Sequence, residues 1–319
     1  MNEKRVLCLP GGADYCRWQA GFVMYLADMG YLQFFNLICG TSGGGLNAIT
    51  IGKYLNNMSR FRAMWSSVAT NKDMYDGVIR FANLWNAIEM ASQFFKDNKG
   101  KSILKPTGLY NLIEREFSGF RFSDSQVPIL VTTTNMSKGK TEVFSTMDTP
   151  EADAVFVAKA TSAIPAGFPG VEKQAVDEKG LLMFDDKGKP IMDVYSDGGI
   201  LKNNPVSYAI DSQATHIMLI GATSDAWPRV DTKNLAINLS MRSIDIMMHE
   251  NEEQSWLEKE KYELHRSLAP DKYPPLKINA YYPEHTYGSG LNVDPKRFED
   301  GYDYAKQVCT LAVLKEFFE

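Results

Sequence analysis

An α/β domain, with a parallel sheet carrying helices on its faces, is the fold class this sequence predicts, and three observations predict it. Apolar runs end in glycine turns at Pro10-Gly11-Gly12, Gly40-Thr41-Ser42-Gly43-Gly44-Gly45 and Asp197-Gly198-Gly199. The first two turns open onto helical patterns, so the chain starts β-turn-α-β-turn-α, the order that sets strands in parallel with helices between them. No linker, internal repeat or low-complexity tract interrupts the 319 residues, and a single domain over residues 1–319 is expected.

Each element has its own signal. Arg5 to Leu9 is a short apolar run, and Trp18, Phe22, Tyr25 and Met29 follow at helical spacing, which predicts a strand, a turn and a helix. Phe34 to Cys39 is a second strand, and Leu46, Ile49 and Leu55 mark the helix beyond its turn. Residues 58–117 read as helical and apolar on more than one side, with Leu84, Ile88, Ala91 and Phe95 as a stripe widened by Trp85, Met90 and Phe94. Ile129 to Thr134 and Thr141 to Phe144 are strands around the turn Met136-Ser137-Lys138-Gly139, and Glu151 to Ser162 is a helix that ends before Pro165. Ile191 to Tyr195 is a strand, after which Asn204 caps a helix whose first residue is Pro205. His216 to Gly221 is a buried strand. Residues 234–268 form a long helix, with Ile237, Met241, Ile244 and Met248 on one face and a charged, solvated second half. A Pro/Tyr-rich loop over 269–295 holds one strand, Leu276 to Ala280, and 296–319 form a final helix.

Composition narrows the chemistry. With 34 Lys+Arg against 39 Asp+Glu, the formal charge is −5 and no long basic run exists, which argues against nucleic acid as partner and against adhesion to anionic membrane by charge. Contact with lipid must therefore be chiefly apolar. None of the four histidines sits beside another His or a Cys at ligand spacing, so no metal is expected, and the four cysteines lack the spacing of a disulfide scaffold. The first apolar run breaks at Pro10 and is too short for a signal peptide, and no stretch reaches the ~18 to 20 apolar residues of a membrane span. A cytoplasmic, reduced protein is expected.

Gly40-Thr41-Ser42-Gly43-Gly44 fits the G-x-S-x-G pattern, with an apolar strand running in and a helix leaving. Such a turn holds the serine in a strained conformation that lifts its Oγ out of the sheet, and glycine at each flank removes the clash a bulkier residue would cause. The helix that follows directs unpaired N–H groups and its positive end at any oxyanion formed there. On pattern alone, the same turn also suits a tight packing corner or a phosphate cradle, with Ser42 as N-cap. The Pro10-Gly11-Gly12-Ala13 turn does not match G-x-G-x-x-G, because Ala13 and Cys16 stand where glycine is needed, so a dinucleotide site is weak. If its strand lies beside the strand carrying Ser42, the N–H groups of Gly11, Gly12 and Ala13 join that of Gly43 in an oxyanion hole.

Serine needs a base. His216, His249, His265 and His285 each read better as surface or structural residues than as a triad member. Asp197 ends an apolar strand beside two small residues, and partial burial would raise its basicity. Equally, an aspartate there can cap its own turn.

Together these segments resemble the patatin-like phospholipase family. The match consists of Gly11-Gly12-Ala13 leading to Gln19-Ala20-Gly21, of Gly40-Thr41-Ser42-Gly43-Gly44, and of Asp197-Gly198-Gly199 followed by Asn204-Pro205. Between them, Ala160-Thr161-Ser162-Ala163-Ile164-Pro165 with Phe168-Pro169 is similar to the family's A-S-x-A-x-P segment, which closes the site. The resemblance covers residues 5–221, in order, and leaves about 231–319 as a C-terminal helical extension. It implies a three-layer αβα fold with a mostly parallel central sheet, and a Ser42-Asp197 dyad in place of a triad. It also implies Gly40, Gly44, Gly198 and Gly199 as the residues supporting that dyad. The family's glycine loop has a third glycine and a nearby cation, where this chain has Ala13 and Tyr15. Ala13 is a mild change provided its φ stays negative, and Arg17, two residues on, is the candidate to supply the charge.

The resulting expectation is a lipid acyl hydrolase, a serine esterase acting on phospholipids or related lipid esters through an acyl-enzyme. No cofactor and no nucleic acid enter, and contact with membrane is peripheral. The aromatic and Met-rich residues at 61–95 are candidates for the acyl-chain pocket. The rival expectations are a catalytically weak lipid-binding or interaction module of the same fold and a Ser-His-Asp α/β-hydrolase.

Overall fold

The computed structural model describes residues 3–77, 101–224, 257–285 and 290–318. Among the described residues eight strands form one sheet: β1 (Arg5–Leu9), β2 (Leu37–Thr41), β3 (Ile129–Asn135), β4 (Lys140–Ser145), β5 (Val171–Gln174), β6 (Met192–Asp197), β7 (His216–Ile220) and β8 (Lys277–Tyr281). Their order is β5-β6-β3-β2-β1-β7-β8, with β4 pairing β3 outside that path. Strands β3, β2, β1, β7 and β8 run parallel, while β4 and β6 pair antiparallel to β3 and β5 antiparallel to β6.

The parallel strands are apolar on both faces because helices cover both. Leu7 and Leu9 of β1, Ile38 of β2, and Met218 and Ile220 of β7 belong to the large core on one side. Their neighbours Val6, Cys8, Leu37, Cys39, Ile217 and Leu219 point to a smaller core on the other. The large core is roofed by α1 (Cys16–Asp28), α2 (Gly43–Tyr54), α3 (Met58–Ser66), α4 (Thr107–Phe117), α5 (Ala154–Thr161), α7 (Lys296–Val308) and α8 (Leu311–Phe318). Helix α6 (Val206–Asp211) lies on the smaller core. The result is the three-layer αβα arrangement. Helices α1 and α7 cross on two glycines: a Cβ on Gly21 would stand 1.9 Å from Phe298 O, and one on Gly301 2.0 Å from Trp18 O.

Several expectations are revised. The strand expected at Leu276 to Ala280 is present as β8, and it joins the sheet beside β7 in parallel register, Ile217 opposite Ile278, so the C-terminal part is not a helical extension alone. The final helix is two, α7 and α8, because the chain leaves the helical conformation at Cys309 (ψ 62). The helix after Asn204 starts one residue later than expected, at Val206 with Pro205 at the cap, and Asn204 Oδ1 accepts from Val206 N–H at 3.1 Å. The stripe at 84–95 and the first part of the predicted 234–268 helix lie outside the described residues; 257–268 is helical. All four cysteines are buried free thiols. Among the described residues no helix is long and apolar enough to cross a membrane.

Candidate active site

The turns that follow the carboxyl ends of β1, β2 and β6 converge at one place. Thr41 of β2 lies opposite Thr132 of β3, and one residue on, Ser42 takes φ 55 and ψ −129 before α2 begins. That left-handed backbone costs a non-glycine residue roughly 1–3 kcal/mol, so its surroundings must hold it. They do so through Thr161, whose Oγ1 accepts from Ser42 N–H at 2.8 Å and donates to Thr132 O at 2.8 Å. Glycine is needed on both flanks for lack of space: a Cβ on Gly40 would meet Gly44 O at 2.4 Å, and one on Gly44 would meet Leu9 O at 2.1 Å.

Asp197 ends β6, opposite Thr133 of β3. Because β6 runs antiparallel to β3, its last residue arrives level with the serine turn. Ser42 Oγ donates to Asp197 Oδ2 at 2.6 Å, and Gly199 N–H donates to Oδ1 at 2.8 Å. The same carboxylate therefore caps its own turn and bonds the serine, so the two sequence readings are compatible. Gly198 has to be small, since a Cβ there would stand 2.5 Å from Thr132 O. Burial pushes the Asp197 carboxyl up to about 7, against the downward pull of its bonds from Ser42 and Gly199.

Of the histidines, His216 begins β7, at the amino-terminal end of a strand parallel to β1, and so sits at the opposite edge of the sheet from Ser42. His265 packs against Tyr273, and His249 lies outside the described residues.

The glycine turn after β1 reaches the site, with three corrections. Gly11 N–H donates to Asn203, to Oδ1 at 3.1 Å and to the carbonyl at 3.3 Å, which takes Gly11 out of the set of open oxyanion donors. Among the described residues no acceptor meets the N–H of Gly12, Ala13 or Gly43. Ala13 has φ 49, not the negative value that would have made it a mild replacement for glycine. Arg17 does not point its charge at the serine: it is 1% exposed, its Nε and Nη2 donate to Asp14 Oδ1 at 3.1 and 3.0 Å, and its Nη1 donates to Trp65 O at 2.9 Å.

Ser42 is itself 1% exposed and lines a cavity with Ala13, Asp14 and Gly43. The rest of the wall is chiefly apolar, with Leu46, Trp65, Met74, Tyr75, Leu109 and Phe168 among its residues. Trp65, Met74 and Tyr75 fall inside the stretch expected to form an acyl pocket, while residues 78–95 of it lie outside the described residues.

With this geometry in place, the profile of the family described as patatin-like phospholipase matches residues 7–210, more than half of the chain. The chain belongs to this family. Its members are lipid acyl hydrolases, and the matched residues contain all three turns of the site. Among solved structures, VipD from Legionella pneumophila is similar at 16% identity and a TM-score of 0.44, over 99% of this chain and 67% of that one. Human GIVD cytosolic phospholipase A2 is similar at 9% identity and a TM-score of 0.42, over 73% of this chain and 47% of that one. ExoU in complex with SpcU, from Pseudomonas aeruginosa, shows 15% identity and a TM-score of 0.29, over 81% and 51%. The chain thus spans about half the length of the latter two. No curated protein matches it.

In this member of the family, sequence reasoning missed what holds the turns after β1 and β2. Asn203 braces Gly11, Thr161 braces Ser42, and Gln19 donates to Pro10 O at 2.8 Å and Ile220 O at 2.9 Å, joining the ends of β1 and β7. The one available signal was position: Thr161 lies in the segment already matched to the family, and Asn203 stands directly before Asn204-Pro205. Nothing in the sequence pointed to Gly290, Leu291 and Val293, which line the cavity from far along the chain.

Proposed function

We propose that the protein is a serine acyl hydrolase that cleaves carboxylic esters of phospholipids or related lipids through Ser42 and Asp197. The observation that carries this reading is the 2.6 Å bond from Ser42 Oγ to a buried carboxylate, opening on an apolar cavity. A carboxyl raised to about 7 is half ionised near neutrality, and its ionised form is a strong enough base to take the serine proton. As Ser42 Oγ attacks the ester carbonyl carbon, its proton passes to Asp197 Oδ2. The N–H groups of Ala13 and Gly43, with Gly12 beside them, take the developing oxyanion. The C–O bond to the leaving alcohol then breaks, and Asp197 returns the proton to that oxygen. Water deprotonated by Asp197 attacks the acyl-enzyme, which releases the fatty acid and regenerates the serine hydroxyl. Apolar side chains along the cavity suit the acyl chain.

A second reading, a lipid-binding module of the same fold, is favoured by one observation: Arg17 is turned to Asp14 and leaves the glycine turn without its cation. Wild type, Ser42→Ala and Asp197→Asn separate the two readings. Hydrolysis of a phospholipid panel, with products read by mass spectrometry, and covalent labelling by a fluorophosphonate are expected in wild type and lost in Ser42→Ala. Equal background in all three proteins would overturn the proposal in favour of the binding module.

A further inference from the structure

The strained Ala13 is followed directly by the most heavily bonded carboxylate in the described part of the molecule. Asp14 has a side chain 2% exposed and accepts from four donors. Arg17 Nε and Nη2 reach Oδ1 at 3.1 and 3.0 Å, while Asp294 N–H and Arg297 Nη1 reach Oδ2 at 2.9 and 2.8 Å. Its own N–H donates to Gly290 O at 2.9 Å. Arg297 lies 4.4 Å over the Tyr15 ring and also donates to Asn292 O at 2.9 Å. One carboxylate thereby joins the glycine turn, helix α1, residues 290–294 and the start of α7. The far side of 290–294 is fastened separately, with Val293 N–H donating to Asn71 Oδ1 at 2.7 Å and Tyr75 OH to Leu291 O at 3.0 Å.

A non-glycine residue at φ 49 persists only where its neighbours over-determine it. Gly12 and Ala13 sit between two fixed points, Gly11 held by Asn203 and Asp14 held by its four donors. A buried ion cluster adds little net stability compared with an apolar one of the same shape, so geometry is the better account of why this charge is buried here. We infer that Asp14 is a positioning residue for acyl transfer: by bonding Arg17, Arg297 and Asp294 together, it holds Ala13 in the left-handed conformation that sets the oxyanion turn, and it seats residues 290–294 over Ser42. This rests on the acyl-hydrolase reading above for its kinetic consequence, but not for its structural one.

Ala13→Gly supplies the test, because glycine adopts that conformation without help. Asp14→Asn is expected to lower kcat about 10- to 100-fold with KM moved less than about threefold, the size of effect that a misplaced oxyanion donor produces. In the Ala13→Gly background the same substitution should cost at least about fivefold less in kcat, since the two residues act on one conformation. A general loss of stability would not show that coupling at temperatures well below unfolding. Arg297→Gln is the second variant, because it leaves the Arg17–Asp14 pair intact if Asp14→Asn does not fold. Both variants should raise amide hydrogen exchange about tenfold in residues 12–16 and 290–294 together, with β1 and α2 unchanged. Equal kcat losses in the two backgrounds, or unchanged exchange in both segments, would overturn the inference. If Ser42→Ala hydrolyses lipid as wild type does, the acyl-hydrolase reading fails by itself, and the exchange measurement still decides the clamp.

Discussion

Ser42 Oγ and Asp197 Oδ2 stand 2.6 Å apart although 155 residues separate them in the chain. Two turns at different strand ends bring them together: β2 delivers the serine in parallel register with β3, and β6 returns the aspartate antiparallel to that same strand. Strand β3 is the shared ruler, since Thr132 lies opposite Thr41 and Thr133 opposite Asp197.

Asp197→Asn tests the proposed base. In Asp197→Asn the side-chain carbonyl can still accept Gly199 N–H, so the turn should keep its shape, but nothing can take the serine proton. Ester hydrolysis and fluorophosphonate labelling are expected to fall about 10²- to 10⁴-fold with the circular dichroism spectrum unchanged. Activity within about threefold of wild type would remove Asp197 from the mechanism.

The pH dependence has two opposite limbs. In the proposed mechanism only ionised Asp197 takes the serine proton, so kcat/KM should rise with pH and level off above its value of about 7. Stability should run the other way. The folded value lies above the unfolded one, so between pH ~4 and ~7 the folded chain holds a proton that the unfolded chain has released. The stabilisation from protonated Asp197 is complete below that window and is lost as pH rises through it, on the order of 4 kcal/mol in all. Melting curves should therefore show Asp197→Asn gaining on wild type from pH 5 to about 7 and then running parallel to it. A fall in the stability of Asp197→Asn relative to wild type as the pH is raised would contradict the burial argument.

Thr161 is predicted to matter as a brace. Thr161→Val keeps the volume but leaves Ser42 N–H and Thr132 O without partners, which should cost about 2–4 kcal/mol in urea unfolding and slow labelling of Ser42. Thr161→Ser keeps both bonds and loses one methyl, for about 1 kcal/mol. Matching losses in the two variants would mean that the methyl, not the hydroxyl, does the holding.

Two glycines separate space from backbone. Gly44 has an ordinary helical backbone but no room, so Gly44→Ala should destabilise by about 3 kcal/mol or more and abolish labelling. Gly139 has φ 63 and open space around it, so Gly139→Ala should cost only about 1–2 kcal/mol and leave labelling intact. Both are read from chemical denaturation followed by probe labelling.

Much of this architecture was legible because the signals are local. The apolar run of β2, the glycines around Ser42 and the Asp197-Gly198-Gly199 turn each announce a strand end, and the turn types follow from residues within five positions of one another. The strand β8 was legible within one residue, at Leu276 to Ala280, whereas its place beside β7 and the break at Cys309 were harder to read. The pairing joins segments about sixty residues apart, and the break interrupts a helical pattern without a proline or glycine. Ala13 shows the limit most clearly: its residue type argues for negative φ, and packing overrode it.

The sequence by itself determined the fold class, the serine turn and the aspartate turn, because strand-turn-helix patterns and glycine placement are set by short-range sterics. Which donors remain open for an oxyanion, where the charge of Arg17 goes, and what covers Ser42 were decided only in the tertiary structure. Each depends on groups far apart in the chain: Asn203 against Gly11, Asp14 against Arg297, and Gly290, Leu291 and Val293 against the cavity. Burial then does what no sequence pattern states, raising Asp197 to about 7 by removing water from a carboxylate that in an unfolded chain would be an ordinary acid.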